Sequence, residues 1–427
     1  MKVALLNARI IDTKNNIDEI GGILIGEDGL ILASGKEVTS DNIGDAKVYD
    51  CINKLIIPGI IDGRVFVGEP GFEYKENYRT LSQAALSGGV TSAVTMPNTN
   101  PIVDNVSTFD FIKRRARDKS LIKIYPLASL TRNIEGNEIT EFGLLKISGA
   151  KGFTDGTKCI QSNSVMDKIF NYGKNQDALI IQFPQDNELS NNAVVNEGLI
   201  ATKLGLKGIP DYAEHIIIER DLRLLEQYNT KYHISQLSSG KSLEIIKKWK
   251  DKNLKFSCGV SINHLSLNEN DIGEFKTFLK LSPPLRTEKD RLDLIDGIKN
   301  SEIDIIVSDH KPEDEESKRL TLQKCATGAS GIETFLSLAL EQYHNGNIEL
   351  NTIIKCMTEN PAKVFGINAG SLEKGIPGDI AVIDLDKPWV VKRDQLKSKS
   401  KNTAIEDKKL QGKVEKTFLN GKLVFEI

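Results

Sequence analysis

Four charged side chains in this sequence stand where a turn follows an apolar run: Arg64, Asp155, Asp309 and Lys311. Asp309 opens Asp309-His310-Lys311-Pro312, directly behind Ile306-Val307-Ser308. Asp155 lies in Gly152-Phe153-Thr154-Asp155-Gly156, where a carboxylate before glycine is equally an ordinary turn residue. Brought into one pocket, such groups could do general acid–base work. Metal chemistry is thinly supplied. The histidines are His215, His233, His264, His310 and His344, and the cysteines are Cys51, Cys159, Cys258, Cys325 and Cys356, with no C-x-x-C pair. That cysteine set reads as reduced thiols of a cytoplasmic protein, not as a zinc site. Arg64 and Phe66 are two apart, so on a strand they share a side. A guanidinium has no lone pair to give and a phenyl ring has none, so neither can ligate a metal.

These residues need a scaffold that gathers strand ends. Eight short apolar runs are separated by helix-length stretches: Leu55–Ile61, Ser92–Met96, Ile122–Leu127, Ala150–Thr154, Ala178–Gln182, Tyr232–Gln236, Phe256–Val260 and Ile303–Val307. Amphipathic segments at Leu81–Leu86, Thr108–Arg117, Leu243–Trp249, Asp290–Ile298 and Thr334–Tyr343 read as helices between them. The alternation predicts an α/β chain with a parallel (β/α)8 TIM barrel, whose functional residues sit at the C-terminal strand ends. Asp28-Gly29 and Asn420-Gly421, each between apolar runs, predict hairpins near the two ends of the chain. Neither end can bury a core alone, so the two are expected to join in one small β-sandwich. The expected division is 1–54 and 369–427 for that sandwich and 55–368 for the barrel. The lysine-rich stretch Lys397–Lys401 is expected to be a solvated loop.

The length of 427 residues suits one large and one smaller unit. A net charge of −3 gives no case for binding nucleic acid or an anionic membrane surface. No apolar run approaches the ~20 residues of a membrane span, and Met1–Arg9 turns polar too soon for a secretory signal.

One resemblance spans essentially the whole chain. Pro58-Gly59-Ile60-Ile61-Asp62-Gly63-Arg64-Val65-Phe66-Val67-Gly68-Glu69-Pro70-Gly71, Gly88-Gly89-Val90-Thr91 and Met96-Pro97-Asn98-Thr99-Asn100-Pro101 are similar to the opening of the dihydroorotases of the amidohydrolase superfamily. The pattern there is P-G-[LI]-I-D-x-H-x-H-x-R-E-P-G, then G-G-x-T and M-P-N-T-x-P. Further on, His233-Ile234-Ser235-Gln236 resembles H-x-x-H, and Ser308-Asp309-His310-Lys311-Pro312 resembles [AS]-T-D-H-A-P-H.

The frame is kept while the chemistry inside it changes. By this resemblance, the four histidine ligand positions read Arg64, Phe66, Gln182 and Gln236, and the substrate-binding arginine position is Gly68. Asp309 keeps the general-base position, Asp155 keeps a position that ligates metal in one branch, and Asn98 keeps a position that contacts the substrate carboxylate. Asn98 is alternatively a rigid turn residue. His264 is, with Asn98, a vestigial substrate-binding position by this resemblance and is expected to make a structural hydrogen bond, and His233 is expected to be packed or at the surface. A general base at Asp309 needs a water acidified by metal, to a pKa of about 7 on zinc.

The resemblance therefore implies a dihydroorotase-like protein of pyrimidine biosynthesis without metal-dependent hydrolase activity and with no cofactor. Its expected role is as an oligomeric structural partner of the aspartate carbamoyltransferase catalytic chain. The alternative is an active cyclic amidohydrolase with an atypical site, in which case zinc is expected. Arg64 is expected either to fill the vacated metal space, bonding Asp309, Asp155 or both, or to reach outward to solvent.

Overall fold

The computed structural model describes all residues, Met1–Ile427. Strands from both ends of the chain share one eight-stranded sheet. Its path runs Lys422–Glu426, Lys409–Leu419, Ile380–Val390, Leu55–Pro58, Val3–Asp12, Ile17–Ile25, Ile31–Gly35, with Lys47–Asp50 pairing Val3–Asp12. Both expected hairpins form: Ile17–Ile25 pairs Ile31–Gly35, and Lys409–Leu419 pairs Lys422–Glu426, each antiparallel. Asn420 and Gly421 take the positive φ that such a turn requires, 47° and 73°. The seam between the two ends is antiparallel, Ile380 opposite Pro58 and Ile383 opposite Leu55. A separate apolar cluster that includes Leu5, Ile10, Ile56, Ile380 and Phe418 lies on this sheet.

The barrel follows. We label its strands β1 (Ile60–Val65), β2 (Val90–Thr95), β3 (Lys123–Pro126), β4 (the single bridged residue Phe153), β5 (Leu179–Gln182), β6 (Lys231–Leu237), β7 (Phe256–Ser261) and β8 (Ile305–Val307). Every pairing is parallel, and the ring is completed by the bridges Ala128 to Phe153, Phe153 to Ile180 and Val65 to His310. Inside lies a core of Ile61, Val94, Met96, Leu127, Ile181, Ile305 and Val307, stoppered by Phe365. The expected helices appear with longer bounds, for example Val106–Lys119 and Glu288–Lys299. Each opens on a polar cap, Asn105 or Thr287, whose side chain accepts from the first turn. No helix is long and apolar enough to cross a membrane.

Two expectations change. The run Leu55–Ile61 is two strands: Leu55–Pro58 belongs to the terminal sheet and β1 starts at Ile60. Gly59 makes the break possible, because a Cβ there would lie 2.1 Å from Thr91 Oγ1. The Lys397–Lys401 stretch is not a loosely solvated loop. Its lysines 397 and 399 are exposed, but Ser398 and Ser400 are buried, and Ser398 Oγ and Lys399 N–H both donate to Glu76.

Candidate functional site

The Arg64 side chain leaves the end of β1 and turns into the barrel mouth, where it is 1% exposed. Nε donates to Asp309 Oδ1 at 2.9 Å. Nη1 donates to Ser235 Oγ at 3.1 Å, and Nη2 reaches the Gly156 carbonyl at 3.5 Å. The guanidinium lies 5.3 Å from the ring centroid of Phe66 and 5.5 Å from that of Phe183. It thus bridges the ends of β1, β6 and β8 and the turn after β4, between two aromatic faces that favour a cation. The outward alternative for Arg64 is corrected. A side chain this long with an apolar wall and an anionic partner gains more by turning in than by hydration.

Asp309 follows β8 and adopts φ 51° while 6% exposed. A left-handed non-glycine residue costs on the order of 1–2 kcal/mol, which the Arg64 pair and the flanking contacts offset. Asp62 fastens β1 to β8 beneath it. Its carboxylate accepts from Ser308 N–H at 3.2 Å, from Ser308 Oγ, and from Arg64 N–H at 3.3 Å. Burial pushes Asp62 up to about 6 despite those bonds.

Asp155 does not join Arg64. Its oxygens accept from Thr131, the backbone N–H at 3.0 Å and the hydroxyl. Burial, not repulsion by Asp309, pushes this carboxyl up to about 6. Of the expected partners of Arg64, Asp309, Asp155 or both, the structure has Asp309 alone: the nearby Thr131 donors take Asp155. Asn98 Nδ2 donates to the Asp155 carbonyl at 3.4 Å. The Asn98 side chain lies so close on Gly156 that a Cβ there would stand 1.7 Å from Oδ1. Asn98 thus packs on the turn after β4, with Oδ1 unpartnered.

Gln182 and Gln236 stand at the ends of β5 and β6. Gln182 Oε1 accepts from Ile160 N–H at 3.2 Å, and Gln236 Nε2 donates to the Ser282 carbonyl at 3.4 Å, leaving Gln236 Oε1 unpartnered. His264 Nε2 donates to the Pro284 carbonyl at 3.1 Å. Nδ1 is then the free acceptor, and burial holds the ring below its ordinary value. His233 is packed within the barrel against Phe365, its pKa pushed down to about 3 by burial and the Arg64 charge.

Sequence reasoning missed Ser235, Phe183, Glu76 and the mouth role of Lys75. Backbone N–H groups of Gly331 and Ile332 donate to His310 Nδ1 at 3.2 and 3.4 Å, so the ring proton is on Nε2, 3.6 Å from Glu76 Oε2. Glu76 also takes Ser398, Lys399 and Thr80. Lys75 Nζ pairs with Glu313 at 2.6 Å. Nothing in the local sequence marks Glu76, whose partners His310, Ser398 and Lys399 are remote along the chain.

A metal ion does not fit this donor set. The centre of the mouth holds a guanidinium bonded to the one well-placed carboxylate, the amides at 182 and 236 are weak ligands, and no three His, Cys, Asp or Glu side chains converge.

A family profile described as Dihydro-orotase-like matches residues 53–242. The dihydroorotase of Ehrlichia canis (strain Jake) is 39% identical over 426 residues, covering 99% of this chain and 95% of the relative. That of Syntrophus aciditrophicus (strain SB) is 35% identical over 426 residues, covering 100% of both. Among solved structures, the L-hydantoinase (dihydropyrimidinase) from Arthrobacter aurescens superimposes with a TM-score of 0.88 at 22% identity, over 99% of this chain and 96% of that one. The dihydropyrimidinase from Brevibacillus agri NCHU1002 gives 0.85 at 19% identity, over 100% and 95%. These structures share the fold: a TIM barrel with a β-sheet unit built from both ends of the chain.

Proposed function

This chain belongs to the dihydroorotase family, and we propose that it has exchanged metal-dependent hydrolysis for a structural role in pyrimidine biosynthesis. One observation carries the reading. The Arg64 guanidinium sits 2.9 Å from Asp309, in the centre of the barrel mouth, with Ser235 as its second partner. A general base works by taking a proton onto a free oxygen from a water placed against it, and here the guanidinium commits Asp309 Oδ1 and fills the space such a water would need. The cation that would acidify a water is instead a group that can neither bind nor deprotonate one.

The kept scaffold fits an assembly partner, and the aspartate carbamoyltransferase catalytic chain is the partner we propose, in an oligomer with this chain. The test is purification of the two chains expressed together, with dihydroorotate hydrolysis and bound metal measured on the same sample. Co-elution without turnover supports the reading. Stoichiometric zinc together with turnover overturns it in favour of an atypical hydrolase.

A further inference from the structure

Where the helix Phe335–His344 meets the strand Lys409–Leu419 of the terminal sheet, the chain forms a second cavity of about 510 Å3. That volume is within the roughly 300–1,000 Å3 of small-molecule sites. Neither Arg64 nor Asp309 lines it. Leu336, Leu396, Val414 and Phe425 give it an apolar wall.

Two opposite charges stand in the same lining without meeting. Glu333 and Lys413 are both half-buried, and neither forms an ion pair. Each is held in place. Glu333 Oε2 accepts from the Lys397 N–H at 2.7 Å. The Lys413 ammonium lies 4.7 Å from the centroid of the Trp389 ring, and that indole is fixed by its N–H donating to the Gly412 carbonyl at 3.2 Å. The ring offsets part of the ammonium's desolvation but offers its N–H groups no lone pair. Burial pushes the Glu333 carboxyl above its ordinary value and, with Lys387 close by, holds the Lys413 ammonium below its own. The other charged groups of the lining are compensated. Lys392 pairs with Asp407 and Glu426 with Lys416, while Asp394 and Lys397 are exposed to water.

A simple ion would satisfy one of the two stranded charges and an apolar molecule neither. We infer that this cavity binds a free α-amino acid with an aliphatic side chain. Its ammonium pairs with Glu333, its carboxylate with Lys413, and its side chain lies against the apolar wall. The inference is independent of how the barrel mouth is read.

The experiment is titration calorimetry and thermal unfolding of the full chain with L-leucine, at neutral pH and constant ionic strength. Leucine should bind saturably and raise the midpoint. Isocaproate, which is leucine without its ammonium, and isoamylamine, which is leucine without its carboxylate, should each bind at least roughly tenfold more weakly, the loss of one charge-assisted hydrogen bond. Glycine, without the side chain, should also bind more weakly. Glu333→Gln keeps an acceptor for the Lys397 N–H, and Lys413→Met keeps a stem beside Trp389. Each should weaken leucine binding by a similar factor and remove one preference: Glu333→Gln should take isocaproate as well as leucine, and Lys413→Met should take isoamylamine as well as leucine. Loss of folding would not produce that exchange. No saturable leucine binding to the wild type, a singly charged analogue or glycine that matches leucine there, or either variant binding leucine as tightly as the wild type overturns the inference.

Discussion

Replacing Arg64 by alanine leaves the Asp309 carboxyl without its partner in a buried mouth, with its side chain 7% exposed and its backbone at φ 51°. Breaking a buried pair by removing one partner costs about 3–5 kcal/mol. Unfolding entropy near 2.1 cal/mol/K per residue amounts to about 0.9 kcal/mol/K for a chain of 427 residues. The midpoint should therefore fall by about 3–6 °C in Arg64→Ala. Asp309→Asn keeps the shape, and asparagine tolerates the left-handed backbone, so this substitution isolates the charge. By itself it strands the guanidinium and should also destabilise. Combined with Arg64→Ala it removes the orphaned anion, so the double variant should be more stable than the sum of the singles by at least about 2 kcal/mol, well outside the ~0.5 kcal/mol expected of independent sites. Circular dichroism melts of the four proteins at one scan rate, supported by urea titrations, provide the cycle. An Arg64→Ala loss below about 1 kcal/mol, the scale of an exposed pair, or additive single effects, would refute the buried-bridge argument.

Further outcomes follow from the same geometry. Arg64→His with Phe66→His should not restore dihydroorotate turnover, because Gln182 and Gln236 remain and Gly68 cannot readily become arginine: its φ is +77° and a Cβ would lie 2.8 Å from the Phe72 carbonyl. A turnover assay with added zinc checks this. Asp155, at about 6 when folded against an ordinary 3.8, binds more protons folded than unfolded, so its contribution is fully present below pH ~4 and lost as pH rises through 6, by up to about 3 kcal/mol. Melts of Asp155→Asn and wild type should therefore drift apart in favour of the variant between pH 4 and 7 and run parallel above it. Gly156→Ala should cost at least about 2 kcal/mol from overlap with Asn98 and its φ of +70°, and Asn98→Ala should recover only the overlap, as urea midpoints would show. Under the scaffold proposal, Asp309→Ala should leave co-purification with the transcarbamoylase chain unchanged so long as the variant stays folded.

Much of the fold was legible because its signals are local. Asp-Gly and Asn-Gly between apolar runs specify tight turns, and the barrel runs carry their own spacing. What escaped was set by distant geometry. The split at Gly59 depends on Thr91 standing within a carbon's reach, which no window around residue 59 contains. The serines between Lys397 and Lys401 looked solvated because the flanking charges dominate composition, yet alternation turns both inward, Ser398 onto Glu76 and Ser400 onto the Lys75 carbonyl. At the site, the inward turn of Arg64 followed from strand parity and charge. The loyalty of Asp155 to Thr131 did not, because it rests on the backbone N–H and hydroxyl of a residue 24 positions away. His310 kept its place in a recognisable motif, but its tautomer is dictated by amides of residues 331 and 332.

The seam between Ile380–Val390 and Leu55–Pro58 has a consequence during synthesis. Leu55–Pro58 is made early and its antiparallel neighbour arrives about 320 residues later, a wait of roughly 15–65 s at 5–20 residues per second. For that interval Leu55, Ile56 and Ile57, all fully buried in the finished protein, present an unclosed apolar edge to the medium around the ribosome. The nascent chain is therefore most exposed to edge-to-edge association while its barrel is still being made, and any factor that shields strand edges should raise the soluble yield more than one that speeds helix formation.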